Sequence, residues 1–385
     1  MRWAVAVLVG CAHELPPLEP LGEFAAEPAP LAGECSDDEL ALLIAPATED
    51  AQDYSLRCSA TVPAGAVISK RVIIDASGVT LACNGASIDA RDRPWYSPNV
   101  DMIEIRSIDE SPHYQRPEDV SVRGCTVAGS IRIFGMCRNG QDCPAQRASS
   151  QDAGHTQRAR DAAPRRISLD GMHITGNRRI PVYFSPGVTQ SSLTSSTVDG
   201  GSVKGALYLD AESDSNTISD NAFFFDTDSD GNEPSAPLIA IDGSSNNTIA
   251  NNYFSGLDEG GIYLYRNCGE LGTARWNTPS NNRIANNTFY YRTYDGPNPA
   301  VFLGSRGPGY AGYCDEDDAI PGGSGDSDLD FATDNVVVEN QLYTRDVADM
   351  IKIGTCQRNA ANYCPGSSGN TGNLVEDNAG GLPSN

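Results

Sequence analysis

Asn247-Thr248-Ile249-Ala250-Asn251-Asn252-Tyr253-Phe254 is the stretch on which the fold turns. The same template stands at Asn216 to Phe223 and at Asn282 to Phe289, with a fourth copy from Asn335 to Leu342 and a clipped fifth from Asn373 to Asn378. Earlier copies lose the asparagines but keep two apolar residues five apart: Val122 with Val127, Leu169 with Ile174, Leu193 with Val198. Behind each copy comes an alternating run, among them Leu207-Tyr208-Leu209, Ile239-Ala240-Ile241, Ile262-Tyr263-Leu264, Val301-Phe302-Leu303 and Ile351-Lys352-Ile353. One repeat reads as strand, Asn turn, strand, loop.

Copies are 25 residues apart from Val198 to Phe223, 31 from Phe223 to Phe254 and 35 from Phe254 to Phe289. A constant strand pair with loops of varying length is what a solenoid requires, because each coil buries its apolar face only against the coils above and below. Helical repeats are excluded: there is no 3.6-residue period, and Asn-Asn pairs sit inside the units.

The repeat resembles that of the right-handed parallel β-helix proteins of the pectate-lyase-like superfamily, over residues 58–378, and Val79 to Ile88 is similar to an early coil of such proteins. The resemblance implies an all-β solenoid of about eight or nine coils, each rising about 4.8 Å. The asparagines are expected to stack as a ladder, and the Ile, Val and Phe positions to point inward. Asp37 to Ile44, acidic residues followed by an apolar run, reads as a short helix capping the first coil within a segment 35–57. Residues 12–34, rich in Pro and Glu, read as a stiff solvated tether, and 379–385 as a tail. Two insertions interrupt the coils, 136–166 and 307–334. The first is expected to hold a small Cys137–Cys143 disulfide loop and a basic excursion in which His155, Arg158 and Arg160 lie on the surface.

A formal charge of −24 over 385 residues argues against nucleic acid, whose binders present a basic face. Eleven cysteines without CxxC pairs point to disulfides and an oxidising compartment. Leu8-Val9-Gly10-Cys11, after the apolar run from Trp3, resembles a bacterial lipobox. Residues 1–11 are then a signal segment with Cys11 as the lipidated residue, placing the chain at the outer membrane or cell surface and leaving ten cysteines for five bridges. The membrane is met only through that anchor, and the chain is expected to be a monomer.

Alternation along the second strands gives two outward columns: Tyr208, Ala240, Tyr263, Phe302, Lys352, and then Asp210, Asp242, Tyr265, Gly304, Gly354. Carboxylates on successive coils lie about 5 Å apart, close enough to share a proton, hold a cation or work as an acid/base pair. Lys352, Arg266, Asp210, Asp242 and Tyr263 are the candidate catalytic residues; Tyr208, Tyr265, Arg306 and Arg275 are candidates for binding a sugar chain. This is the equipment of a lyase acting on a uronate-containing extracellular polysaccharide, the activity that the resemblance favours. The motif sets of polygalacturonases and mannuronan epimerases are missing. A non-catalytic glycan-binding or structural protein, or a hydrolase using Asp210 and Asp242, is the alternative. Asp226-Thr227-Asp228-Ser229-Asp230-Gly231 has the alternating carboxylates of an acidic Ca²⁺ loop, with Asp226, Asp228 and Asp230 as ligands.

Overall fold

The computed structural model describes residues 22–98, 100–138, 143–202, 204–226, 237–255, 260–267, 272–290, 298–304, 320, 322–324, 332–343, 347–354 and 370–381. These residues wind into a right-handed parallel β-helix with three long sheets. The first has eleven strands, from Gly33–Glu34 to Leu374–Glu376; the second has ten, from Val67–Ile68 to Ala379–Gly381; the third has ten, from Asp53–Ser55 to Ile351–Ile353. A typical rung gives one strand to each sheet in turn, as with Thr217–Ser219, Ala222–Asp226 and Ile239–Asp242.

Two expectations are corrected here. Each coil contains three strands, because the eight-residue template is bent in the middle. The residue before its second asparagine adopts left-handed backbone in every copy: Asp220 (φ 60°), Asn251 (58°), Asn286 (55°), Glu339 (57°). Asp and Asn tolerate that region best, so the turn chemistry is written into the repeat. The stack is also taller than eight or nine coils, since early rungs such as Cys58–Thr61 and Thr80–Ala82 join the first sheet without carrying the asparagine template.

The asparagines form two ladders. In one, the backbone N–H of Asn216 donates to Asn247 Oδ1 (2.9 Å), Asn247 to Asn282 (3.0 Å), Asn282 to Asn335 (2.9 Å) and Asn335 to Asn373 (3.0 Å). The other runs Asn221, Asn252, Asn287, Asn340, Asn378 at 3.0–3.1 Å. Serines take over toward the N-terminus, where Ser191 and Ser196 donate to Asn216 and Asn221. Each such N–H sits at a bend with no neighbour in a sheet, and leaving it buried and unpaired costs about 1–3 kcal/mol. Inside, Phe223, Phe254 and Phe289 stack at centroid spacings of 5.1 and 4.9 Å between Ile218, Ile249 and Ile284, all fully buried.

The helix Asp37–Ile44 forms as expected, with a capping box between Ser36 and Glu39, and buries Leu43 against the first rungs. Lys70 Nζ donates to Leu42 O at the far end of the helix (2.5 Å). Not all of 12–34 is a solvated tether: Ala25–Pro28 pairs in parallel with His113–Arg116, and Gly33–Glu34 with Cys58 and Ser59. Disulfides join Cys35 to Cys58, Cys83 to Cys125 and Cys137 to Cys143. Bridges of this number belong to an oxidising, extracytoplasmic compartment. Cys268, Cys314, Cys356 and Cys364 lie outside the described residues. No helix among the described residues is long and apolar enough to cross a membrane.

Candidate functional site

The outward columns of the third sheet have the predicted register. Tyr208, Ala240, Tyr263, Phe302 and Lys352 stand side by side on successive strands, and Asp242 pairs with Tyr265. Toward the N-terminus the first column continues through Tyr183, Arg132 and Glu104. Asp210 follows the strand Leu207–Leu209 directly, so it is carried to the same side as Asp242.

An open pair of carboxylates was expected; the structure closes it. Asp210 and Asp242 are 0% exposed. Arg275 Nη1 lies 2.7 Å from Asp210 Oδ1 and 3.6 Å from Asp242 Oδ2. Tyr183 donates to Asp210 Oδ2 and Tyr208 to Asp242 Oδ2, both at 2.7 Å. Asp210 Oδ1 also accepts from the backbone N–H of Ala211 (2.8 Å), and Asp242 Oδ1 accepts from that of Asn267 (2.6 Å). Every carboxylate oxygen therefore has a donor. Burial pushes the Asp242 carboxyl up to about 6; Arg275 opposes that rise and Asp210 adds to it. Burial, with Asp242 beside it, also pushes the Tyr208 phenol well above its ordinary value.

The cover comes from two segments whose position repeat counting does not foretell. Glu212, left-handed at φ 64° and buried, accepts from the backbone N–H groups of Trp276 (2.6 Å) and Asn277 (3.1 Å) and from Thr156 Oγ1 (2.5 Å). Within the 136–166 insertion lie two short helices, Pro144–Ser149 and His155–Ala162. Ser150, between them, accepts from Ala274 N at 3.0 Å and Trp276 Nε1 at 2.9 Å. The insertion thus seats the segment 272–277 over the sheet, and Arg275 reaches the acids from that segment. His155 is not a surface residue: it is 1% exposed, meets Ser149 Oγ at 2.9 Å, and burial holds its pKa below the ordinary value.

The other predicted residues follow the same pattern. Tyr263 and Tyr265 are buried with Ala240, flanked by Tyr208 and Phe302, so their rings are packing surfaces, not open platforms. Arg266 and Arg275 are buried as well, Arg275 as the counter-ion of the acids. Lys352 is half-buried on the last strand of the third sheet. Arg306, Asp228, Asp230, the side chain of Asp226 and Cys11 lie outside the described residues.

An open aromatic strip sits instead on the second sheet. Phe224, Ser255, Tyr290 and Tyr343 share one outward column, with Tyr253 in the adjoining one. Phe224 is 52% and Tyr290 40% exposed, Tyr253 and Tyr343 are half-buried, and the Phe224 and Tyr253 rings are 5.7 Å apart. The available signal was the residue beside each inward Phe or Leu of the template, which must face out.

Residues 150–297 match the family described as NosD, periplasmic copper-binding protein. No curated protein matched in a sequence comparison. Among solved structures, the chain is similar to Geobacillus virus E2 ORF18 (12% identity, TM-score 0.36, 93% of this chain and 60% of that one). It is also similar to an alginate lyase from Paenibacillus sp. str. FPU-7 (11%, 0.36, 78% and 87%) and to a mutant of the periplasmic alginate epimerase AlgG (10%, 0.39, 86% and 78%). The chain thus spans 60% of the length of ORF18. The fold is that of a parallel β-helix protein, and its disulfides belong to an extracytoplasmic compartment.

Copper needs imidazole, thiolate or thioether ligands gathered at one point. Within 150–297 the histidines are His155, buried against Ser149, and His173, paired with Asp199 at 2.7 Å. Among the described residues no three His, Cys, Asp or Glu side chains converge as a metal site, so the described residues do not fit copper.

Proposed function

We propose that the protein is an extracytoplasmic glycan-binding β-helix that holds an acidic polysaccharide along its outer surface without cleaving it. The observation that carries this reading is the strip of Phe224, Tyr253, Tyr290 and Tyr343 on successive rungs of the second sheet, with Phe224 and Tyr290 exposed and Tyr253 and Tyr343 half-buried, where the aromatics of the third sheet are covered. Flat apolar faces repeated every 4.8 Å or so suit a linear chain of sugar rings, which have apolar faces of their own. Binding is favoured over catalysis because Asp210 and Asp242 are sealed from solvent, out of a polymer's reach. Lipidation of Cys11 would hold such a binder at a membrane surface, and a Ca²⁺ loop at Asp226, Asp228 and Asp230 would brace the strip's first strand.

The second reading, a lyase, is favoured by one observation: the raised Asp242 carboxyl beside Asp210 is a proton-holding pair. Incubation with polyuronates separates the two. Retention on an immobilised polyuronate, weakened in Phe224→Ala/Tyr290→Ala at unchanged melting temperature, supports binding. Ultraviolet absorbance of unsaturated uronate ends would move the assignment to a lyase, and retention indifferent to the double variant would remove the strip from the account.

A further inference from the structure

The N-terminal rungs of the third sheet carry a concentration of arginine that no repeat pattern announces. Glu104, 0% exposed, pairs with Arg71 Nη1 and Arg106 Nη1, both at 3.1 Å, and with Arg138. Asp101, 2% exposed, accepts from Ser130 Oγ at 2.7 Å and pairs with Arg138 at 3.2 Å and Arg179 at 3.5 Å. On the neighbouring strand the Arg132 guanidinium lies 4.0 Å over the Tyr183 ring. With Asp53, which pairs with Arg71, five guanidinium groups among the described residues face three carboxylates.

Among the described residues this excess of guanidinium over carboxylate gathers on one face of a chain whose formal charge is −24. Its carriers are within reach of solvent: the side chains of Arg71, Arg106, Arg138 and Arg179 are 25, 37, 21 and 26% exposed, while both central acids are sealed beneath them. The buried carboxylates act as an anchoring layer that fixes the forks before any ligand arrives, which lowers the ordering cost of binding. The arginines also come from separate places: the start of Arg71–Ile74, the end of Asp101–Arg106, the residue after Cys137, and the corner following His173–Arg178. Burial holds the Arg138 pKa below its ordinary value, and Arg179 and Arg71 push the same way while Asp101 pushes back. A guanidinium stays charged in proteins, so this crowding is relieved by an incoming anion.

We propose that this arginine fan is an anion subsite that takes the planar carboxylate or the sulfate group of an acidic sugar polymer, through charge-assisted and bidentate hydrogen bonds. Anion capture stands on the cluster itself; the polymer to which the anion belongs rests on the glycan-binding reading above.

The test uses Arg106→Gln/Arg179→Gln in the full chain. Glu104 then keeps Arg71 and Arg138, and Asp101 keeps Arg138 and Ser130, so the buried acids stay partnered and melting curves verify the fold. Wild type and variant are titrated calorimetrically with a polyuronate, a sulfated polysaccharide and a neutral glucan. The expected result is a loss of at least about tenfold in affinity for one acidic polymer, with the neutral glucan unaffected. Arg106→Lys, which keeps charge but not the fork, should fall between. Whichever polymer shows the loss names the group, carboxylate or sulfate. Free glucuronate and sulfate are run in parallel by thermal shift. A shift in wild type that the variant lacks, with no polymer bound, keeps the subsite and discards the glycan reading. Polyuronate affinity equal in wild type and variant but reduced by Phe224→Ala/Tyr290→Ala overturns the subsite and keeps the glycan reading.

Discussion

The outer faces of the second and third sheets come from one repeat and carry aromatics at equivalent outward positions, yet they end differently. On the third sheet Tyr263 and Tyr265 are 3 and 8% exposed, packed with Ala240, Tyr208 and Phe302, and Asp210 and Asp242 are sealed around Arg275. On the second, Phe224 and Tyr290 stay open. Strand register decides which side chains face outward, and the loops decide which of those meet solvent. A repeat pattern therefore locates candidate surfaces without telling which of them is free.

Four experiments press on this difference. The largest effect is expected from Arg275→Leu, which leaves two buried carboxylates without their counter-ion and should cost about 3–5 kcal/mol in denaturant unfolding. Adding Asp210→Asn and Asp242→Asn should restore much of it, and an Arg275→Leu protein as stable as wild type would mean that the third face is open. Next is pH. The folded Asp242 value, about 6, lies above its ordinary 3.8, so the folded state binds that proton more tightly. Its stabilising contribution is present below about 4 and is lost as pH rises through 6. Asp242→Asn should gain melting temperature relative to wild type across that window. His155, held neutral by burial, works in the opposite direction, losing stability as pH falls below its ordinary 6.5, but it is common to both proteins and cancels in the difference.

Ser150→Ala removes the hydroxyl that receives Ala274 N and should cost about 1 kcal/mol, with faster hydrogen exchange confined to 272–277. Uniform protection would show that the cover is held elsewhere. The smallest stability effect belongs to Tyr290→Ala on the open face, within about 0.5 kcal/mol by the same unfolding assay. A loss of several kcal/mol there would mean that the strip is packed, as on the third sheet.

Much of the architecture was legible because the ladder demands particular residues. Only a short amide side chain such as that of Asn247 both accepts from one coil and donates to the next, so the repeat is visible letter by letter. The three-sided cross-section was harder to see, since its extra corner depends on backbone sign at Asp220 and Glu339, residues that also suit ordinary turns. The columns of the candidate site were read in register, but their burial was not. Closure depends on Thr156 meeting Glu212, and on Ser150 and Glu212 meeting 272–277, over sequence separations of 56 to 126 residues, and no local pattern encodes such contacts. The arginine fan was missed for a similar reason: its members come from four places along the chain and converge only once the rungs are stacked.

The asparagine ladder makes the fold a rack with interchangeable shelves. Its rungs join residues 25, 31, 35, 53 and 38 apart, yet every bond is 2.9–3.0 Å long. Closing a loop of twice the length costs only about 0.6 kcal/mol more, less than one asparagine bond protects. The stretches that link the strands between Asn282 and Asn335 can therefore differ in length or chemistry while the ladder stays closed. What hangs between the rungs can diverge while the rungs stay the same.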